Sequence, residues 1–384
     1  MYDFNTINNR RQTNSVKWNV KNNELPMWVA DMDFKTAPEI TAAFKEKIAQ
    51  GIFGYENVPS EYFQAVVAWY RRQHKVELDA HWMLFVTGVV PAISSIVRRV
   101  TSVGDSVLVC APVYNIFYNS IENSGRHVLS SDLVFKDGKY SIDWSDLEAK
   151  LAQPLTNLLI FCNPHNPIGL VWHKKELERL VKLCQKHHVI LLSDEIHGDL
   201  VLKGQYTSVA SLKASGTITL VSPSKTFNLA ALHAATAIIP EENLRAQVNR
   251  GFNSEELAEP NLLAIPGTVA AYTQGEKWLV ELKEVLKNNQ QMVVEFLAQH
   301  LPQVKMVYGG ATYLLWLDIS AYTSDSKALA TFIREKTGLY LSAGTIYRGN
   351  GNKFLRMNIA CPVAYLIEGL QRLKSGLDAW SSNN

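Results

Sequence analysis

Three short apolar runs near the middle of the chain each stop at a residue that carries chemistry. Asn157-Leu-Leu-Ile-Phe-Cys162 leads into Asn163-Pro-His-Asn-Pro-Ile-Gly169. Val189-Ile-Leu-Leu-Ser193 leads into Asp194-Glu-Ile-His197, and Thr217-Ile-Thr-Leu-Val221 leads into Ser222-Pro-Ser-Lys-Thr-Phe-Asn-Leu-Ala230. Runs this continuous, without polar alternation, fit parallel strands covered by helices on both faces. Asp194 lies 28 residues after Asn166, and Lys225 lies 31 residues after Asp194. Between the first two runs, residues 174–187 place Leu177, Leu180, Val181 and Cys184 on one helical face. In such a sheet the carboxyl ends of the strands bind ligands, so an asparagine, an aspartate and a lysine are expected at one edge. Burial disfavours an ammonium, so the Lys225 amine should be more acidic than usual. A neutral amine can attack a carbonyl. Taken alone, Ser-Pro-Ser-Lys also fits a surface lysine in a turn.

The chain has 384 residues, more than one ordinary core organises, so two domains are expected. The balance of 47% hydrophobic and 19% charged residues is that of a globular protein. A net charge of +2 with no basic cluster does not point to nucleic acid or an anionic membrane. No apolar run approaches the roughly 20 residues that span a bilayer, and the expected location is the cytoplasm. Cys110, Cys162, Cys184 and Cys361 are scattered among apolar neighbours, which suits reduced core residues. No metal site is expected.

Residues 1–35 read as an arm lying across a partner or a cleft. A helix follows from Thr36 to about Gly51, then a loop with Phe53-Gly-Tyr55, then a helix from about Ser60 to His74. Phe85-Val-Thr-Gly-Val-Val-Pro91 reads as a turn opening a helix that continues to about Val103. Gly88 permits close backbone approach there, and free helix N–H groups attract anions. Ser106–Cys110 is a short buried strand closed by Ala111-Pro-Val-Tyr114, and Ala234–Ile239 is a further strand. A long amphipathic helix is predicted over 276–300. Beyond it come strands near Tyr313–Ile319, Leu339–Ser342 and Lys353–Ala360, and helices over 325–336 and 363–377, an α+β pattern expected to pack with the arm. Gly349-Asn-Gly351 reads as a turn.

Lysine, acid and asparagine at three successive strand ends suit one cofactor, pyridoxal phosphate, which needs an amine for its aldehyde and an acid for its ring nitrogen. The chain resembles the fold-type I pyridoxal-phosphate enzymes, the aspartate aminotransferase superfamily. Pro26-Met-Trp-Val-Ala-Asp-Met-Asp-Phe34, Gly88-Val-Val-Pro91, Asp194-Glu-Ile-His197 and Ser224-Lys-Thr-Phe-Asn-Leu-Ala230 narrow the resemblance to the carbon–sulfur lyase branch, the MalY/PatB-type cystathionine β-lyases. The resemblance spans about Trp28 to Pro362. It implies an α/β fold with a mostly parallel seven-stranded sheet in a large domain over 51–280. It also implies a smaller α+β domain over 281–384, joined by the arm and first helix, 1–50.

The resemblance also implies roles. Lys225 holds the cofactor and acts as base, Asp194 meets the pyridine nitrogen, and Tyr114 covers the ring. Asn166 donates to the phenolate oxygen, with His197 where aminotransferases carry tyrosine. Gly88, Val89, Val90, Ser222 and Ser224 bind the phosphate, with Tyr55 reaching it from the other subunit of a homodimer. Arg356 grips the substrate carboxylate, with Trp28, Ala30 and Asp31 walling the cleft and Asn166 alongside. Two departures stand out: His233 occupies a place where many relatives carry arginine, and Arg348 follows Tyr347 where an aromatic-glycine pair is common. Arg348 at the cleft mouth either reads a distal acid group or is solvated. The expected reaction is β-elimination from L-cystathionine and related S-substituted cysteines. The alternatives are a transaminase and a cofactor-binding regulatory interaction protein.

Overall fold

A computed structural model describes residues 1–307 and 309–383. Its largest sheet has seven strands: β1 (Met83–Val86), β2 (Ser106–Val109), β3 (His127–Ser130), β4 (Thr156–Cys162), β5 (Ile190–Asp194), β6 (Thr217–Val221) and β7 (Ala235–Ile238), in spatial order β1-β7-β6-β5-β4-β2-β3. Pairing is parallel from β6 through β5, β4 and β2 to β3, while β7 runs antiparallel to both its neighbours. Leu158, Leu159, Ile160, Leu191, Leu192, Ile218 and Leu220 are fully buried. Burying each such side chain contributes about 1.5–3 kcal/mol, and together they hold the register. Cys162 pairs with Asp194 and Asp194 with Leu220, so the three strand ends lie level.

The helix Val89–Val100 packs on this sheet through Ala92, Ile93, Ile96 and Val97. It ends three residues before the expected stop, because Thr101 turns extended and its hydroxyl donates to the Val97 carbonyl. The predicted helix 276–300 is Glu276–His300. It leads to a four-stranded antiparallel sheet of Lys305–Val307, Leu314–Asp318, Phe354–Asn358 and Ser342–Ala343. The final helix, Val363–Asn383, outruns its expected end at 377.

The strand expected over 339–342 divides in two. Leu339–Tyr340 pairs parallel with Leu25–Pro26 of the arm, and Ser342–Ala343 pairs with Arg356 and Leu355. The backbone changes partner at Leu341, a step no local hydrophobic pattern encodes. The arm crosses the chain's own cleft, where Asp33 N–H donates to the Ala360 carbonyl.

Candidate active site

At the carboxyl edge of β4, β5 and β6 lies a cavity of about 350 Å³. Its floor is Asn166, Asp194, His197 and Lys225, each placed by the strand or loop before it. One wall is the helix start, Gly88, Val89 and Val90, with Ser222, Ser224 and His233 beside it. Tyr114 and Ala30 complete the enclosure.

Lys225 is the centre of this arrangement. Burial pulls its amine down to about 8, against the pull of Asp31 and Asp194, which favour the cation. Its Nζ donates to the Ala30 carbonyl at 2.8 Å. In the apoprotein, acylation of Lys225 by an amine-directed reagent should therefore rise with a midpoint near pH 8, because only the neutral amine reacts. An ordinary lysine titrates near about 10.4, and peptide mass spectrometry that finds the midpoint there refutes the buried amine.

Asp194 is buried, and burial pushes its carboxyl up to about 7, opposed by the Ile196 N–H that donates to Oδ1 at 3.1 Å. A cationic ring nitrogen placed in the cavity would favour its ionised form. Burial, with the Lys225 and Arg356 charges, holds His197 down at about 3, so it is a neutral imidazole at physiological pH. Burial raises the Tyr114 phenol to about 12, which keeps its proton in place.

Arg356 lies behind Asn166 and is not itself a cavity wall. It donates from Nη1 to Asn166 Oδ1 at 3.1 Å and from Nη2 to the Trp28 carbonyl at 2.7 Å. The first bond engages the Asn166 carbonyl and leaves its NH2 for a ligand. Arg356 Nε and His197 Nδ1 are buried without a partner. Buried polar atoms are rarely left so, and here they mark where a bound group is expected.

Several expectations need correction. Trp28 does not wall the cavity: its ring stacks on Tyr340 with centroids 4.6 Å apart and faces a separate cavity. Only its carbonyl serves the site. The Ser222 hydroxyl lines the cavity but donates to the Ala234 carbonyl at 2.7 Å, so its proton is already engaged. The Gly88 N–H is likewise bonded, to the Val86 carbonyl at 2.8 Å, which leaves Val89 and Val90 as the backbone donors. The expectation for Tyr55, a role in the other subunit's site, is not among these: it is fully exposed on the loop between the first two helices and does not line its own chain's cavity. Asp31 is turned toward Arg10, whose Nη2 donates to it at 2.8 Å. Arg348 is paired with Glu122 at 2.7 Å and is not a free cation.

Two features escaped the sequence. Five successive carbonyls, Trp28 to Met32, are each held by side chains. Arg356 bonds Trp28, Asn358 bonds Val29 and Asp31, Lys225 and Tyr313 share Ala30, and Arg10 and Asn228 share Met32. Beneath this segment, buried Lys17 and Trp18 both bond Asp33 at 2.7 Å. The second feature is Glu195, fully buried, which accepts from Asn163 Nδ2 at 3.0 Å, the Val209 N–H at 2.8 Å and three hydroxyls, Ser193, Ser208 and Tyr206. It fixes the loops on either side of Asp194. The only trace of it in the sequence is a second acid after an apolar run.

A family model described as aminotransferase class I and II matches residues 24–373. The chain is 41% identical to cystathionine β-lyase PatB of Bacillus subtilis, with 98% of this chain and 100% of that protein covered. It is 32% identical to protein MalY of Escherichia coli, with 99% and 100% covered. Among solved structures, cystalysin from Treponema denticola, which contains a pyridoxal 5'-phosphate cofactor, superposes with a TM-score of 0.95 at 33% identity, covering 99% of each chain.

Proposed function

The chain belongs to the class I and II aminotransferase family, and from that membership together with its 41% identity to cystathionine β-lyase PatB we propose that it is a pyridoxal-phosphate-dependent carbon–sulfur β-lyase. It releases a thiol from L-cystathionine and related S-substituted cysteines, with pyruvate and ammonia as the other products. The observation that carries this reading is the Lys225 amine, drawn down to about 8, sharing one cavity with Asp194 and Asn166.

The residues fit the cofactor. The cavity offers an amine for its aldehyde in Lys225, an acid for its ring nitrogen in Asp194 and an amide donor for its phenolic oxygen in Asn166. Tyr114 is at hand for its face. Val89 and Val90 N–H groups and the Ser224 hydroxyl stand for its phosphate. When bound, pyridoxal phosphate supplies an electron sink that acidifies the α-proton of an attached amino acid and lets a β-substituent depart.

The rest falls to the protein. Arg356 grips the substrate α-carboxylate, and its guanidinium is already oriented by Asn166 and the Trp28 carbonyl. Lys225, whose amine would be free once the substrate is bound, would take the α-proton as base. It then holds that proton beside the same three-carbon chain and returns it to the departing sulfur, which leaves as a thiol. Water converts the remainder to pyruvate and ammonia. With L-cystathionine the thiol is homocysteine.

Ile52, Phe53 and Tyr55 form an exposed apolar loop on the single chain. We assign this loop to a second copy of the protein, with Tyr55 entering the partner's phosphate site. A monomer mass by light scattering would remove this part of the reading. We place the reaction in the cytoplasm, which suits four buried, unpaired cysteines. Among the described residues no helix is long and apolar enough to cross a membrane.

The test is a product assay on the holoenzyme with L-cystathionine and no keto acid. Pyruvate and thiol should appear in equal amounts. New amino acid formed only when a keto acid is added, without thiol, would make the protein a transaminase.

A further inference from the structure

The loop after β5 carries a third acid that the reaction above does not use. Asp199, five residues beyond Asp194, is buried in the short turn Gly198–Leu200 and stands behind the cavity without lining it. Trp69 Nε1 donates to its Oδ1 at 2.8 Å, and His74 Nε2 meets the same oxygen at 2.7 Å. Both come from the helix Ser60–His74. The other oxygen, Oδ2, accepts from the Thr226 hydroxyl at 3.1 Å. Burial would push the Asp199 carboxyl up, yet His74 and Trp69 hold it below the usual carboxylate range, so it is an ionised acceptor at neutral pH.

Thr226 follows Lys225 directly and is fully buried. The turn that carries them closes on itself, with the Phe227 N–H donating to the Pro223 carbonyl and the Leu229 N–H to the Ser224 carbonyl, each at 2.9 Å. Beyond Lys225, two polar side chains leave this turn. Asn228 goes to the arm, where its Nδ2 donates to the Met32 and Phe34 carbonyls, each at 3.0 Å. Thr226 goes to Asp199, on the loop that also carries Asp194. The Thr226–Asp199 bond therefore refers the lysine to the loop that places the acid, while Asn228 refers it to the arm. A charge buried this deeply is weak evidence of stability, because an apolar group of similar volume often serves as well. A directional bond does what an apolar contact does not: it fixes one hydroxyl, and with it the residue before.

We propose that Asp199 is a positioning residue for the elimination, holding Lys225 at a fixed place relative to Asp194 through the Thr226 hydroxyl. This rests on the pyridoxal-phosphate reading above for what Lys225 does. The amine answers the cofactor's aldehyde and the acid its ring nitrogen, on opposite sides of one rigid ring. The spacing between the two residues is then part of the chemistry, and a misplacement of about 1 Å can cost about a hundredfold in rate.

Removing Asp199 would also strand Trp69 and His74 in the interior, so the test is made at Thr226. Thr226→Val keeps the shape and loses the hydroxyl, while Thr226→Ser keeps the hydroxyl and loses the methyl group. Pyruvate release from L-cystathionine is measured on the holoenzymes, acylation of Lys225 against pH on the apoproteins, and the thermal midpoint on both. Thr226→Val should lower kcat by at least about tenfold. Its KM should stay within about twofold of wild type, because Arg356 and its partners are untouched. Its Lys225 acylation midpoint should move up from near pH 8 toward the ordinary lysine value of about 10.4, because an amine no longer held at depth meets water. Thr226→Ser should match wild type in all of these. A wild-type kcat or a wild-type acylation midpoint in Thr226→Val overturns the proposal, even with a lowered thermal midpoint, since Asp199 would then supply stability alone. Changes of the same size in Thr226→Ser overturn it too, because the methyl group and not the hydrogen bond would be responsible. Wild-type apoprotein that takes up no pyridoxal phosphate sinks the cofactor reading, while the acylation midpoints, read without cofactor, still decide whether the Thr226 hydroxyl places Lys225.

Discussion

Lys225→Ala should lower pyruvate release from L-cystathionine by at least about a thousandfold, within the range that a positioned proton-transfer group supplies, while the protein keeps its fold. The fold should survive because the amine makes one hydrogen bond, to the Ala30 carbonyl, and Tyr313 donates to the same oxygen at 3.1 Å. Removing the lysine therefore leaves no buried acceptor unpaired. The activity should not survive. The remaining cavity bases are Asp194, which is assigned to the ring nitrogen, and His197, whose imidazole is too weakly basic at about 3 to take a proton at neutral pH. Lys225→Arg is the companion variant. It keeps a cation near Asp31 and Asp194 but has no accessible neutral form, so it should be as inactive as alanine. Steady-state pyruvate assays with circular dichroism of both variants decide the matter. Substantial activity in the arginine variant would mean that Lys225 contributes charge and not a base.

Asp194→Asn should reduce the same rate by about a hundredfold to a thousandfold, the scale of losing one buried electrostatic partner at a reacting group. This substitution separates two roles. If Asp194 merely caps its loop, asparagine serves as well, because an amide oxygen accepts the Ile196 N–H as the carboxylate does. If its charge matters, the isosteric amide cannot replace it. Nor does asparagine disturb Glu195, whose five donors come from other residues. Unchanged turnover in Asp194→Asn, with normal thermal stability, would remove Asp194 from the reaction.

Those two residues were legible in the sequence for a physical reason. A residue just beyond a buried parallel strand is placed by the strand, and the apolar run that makes the strand is a local signal. The same holds for Asn166 and for Gly88, which opens its helix with φ 115°. What could not be read depends on partners far away in the chain. Arg356 meets Asn166 across 190 residues and Trp28 across 328. The Trp28 side chain lies against Tyr340, a neighbour no local pattern names. Lys17 is among the most buried side chains of the molecule, yet it sits in a polar stretch that gives no hint of a core. It is buried because Asp33 neutralises it at 2.7 Å. Periodicity finds hydrophobic faces; it is blind to a charge that enters the interior in the company of another.

The segment from Trp28 to Met32 constrains the protein in a way that substitution scans would miss. Beside the Asp31 side chain, which Arg10 holds, each of its five carbonyl oxygens accepts from Arg356, Asn358, Lys225, Tyr313, Arg10 or Asn228. Every amino acid has that oxygen, so those bonds do not depend on which side chains the segment carries. They depend on how many residues it has. Deleting or inserting one residue would move each oxygen about one residue length, roughly 3.3 Å in extended chain, and hand every partner the wrong carbonyl. Across long divergence, this stretch should therefore change its letters more readily than its length.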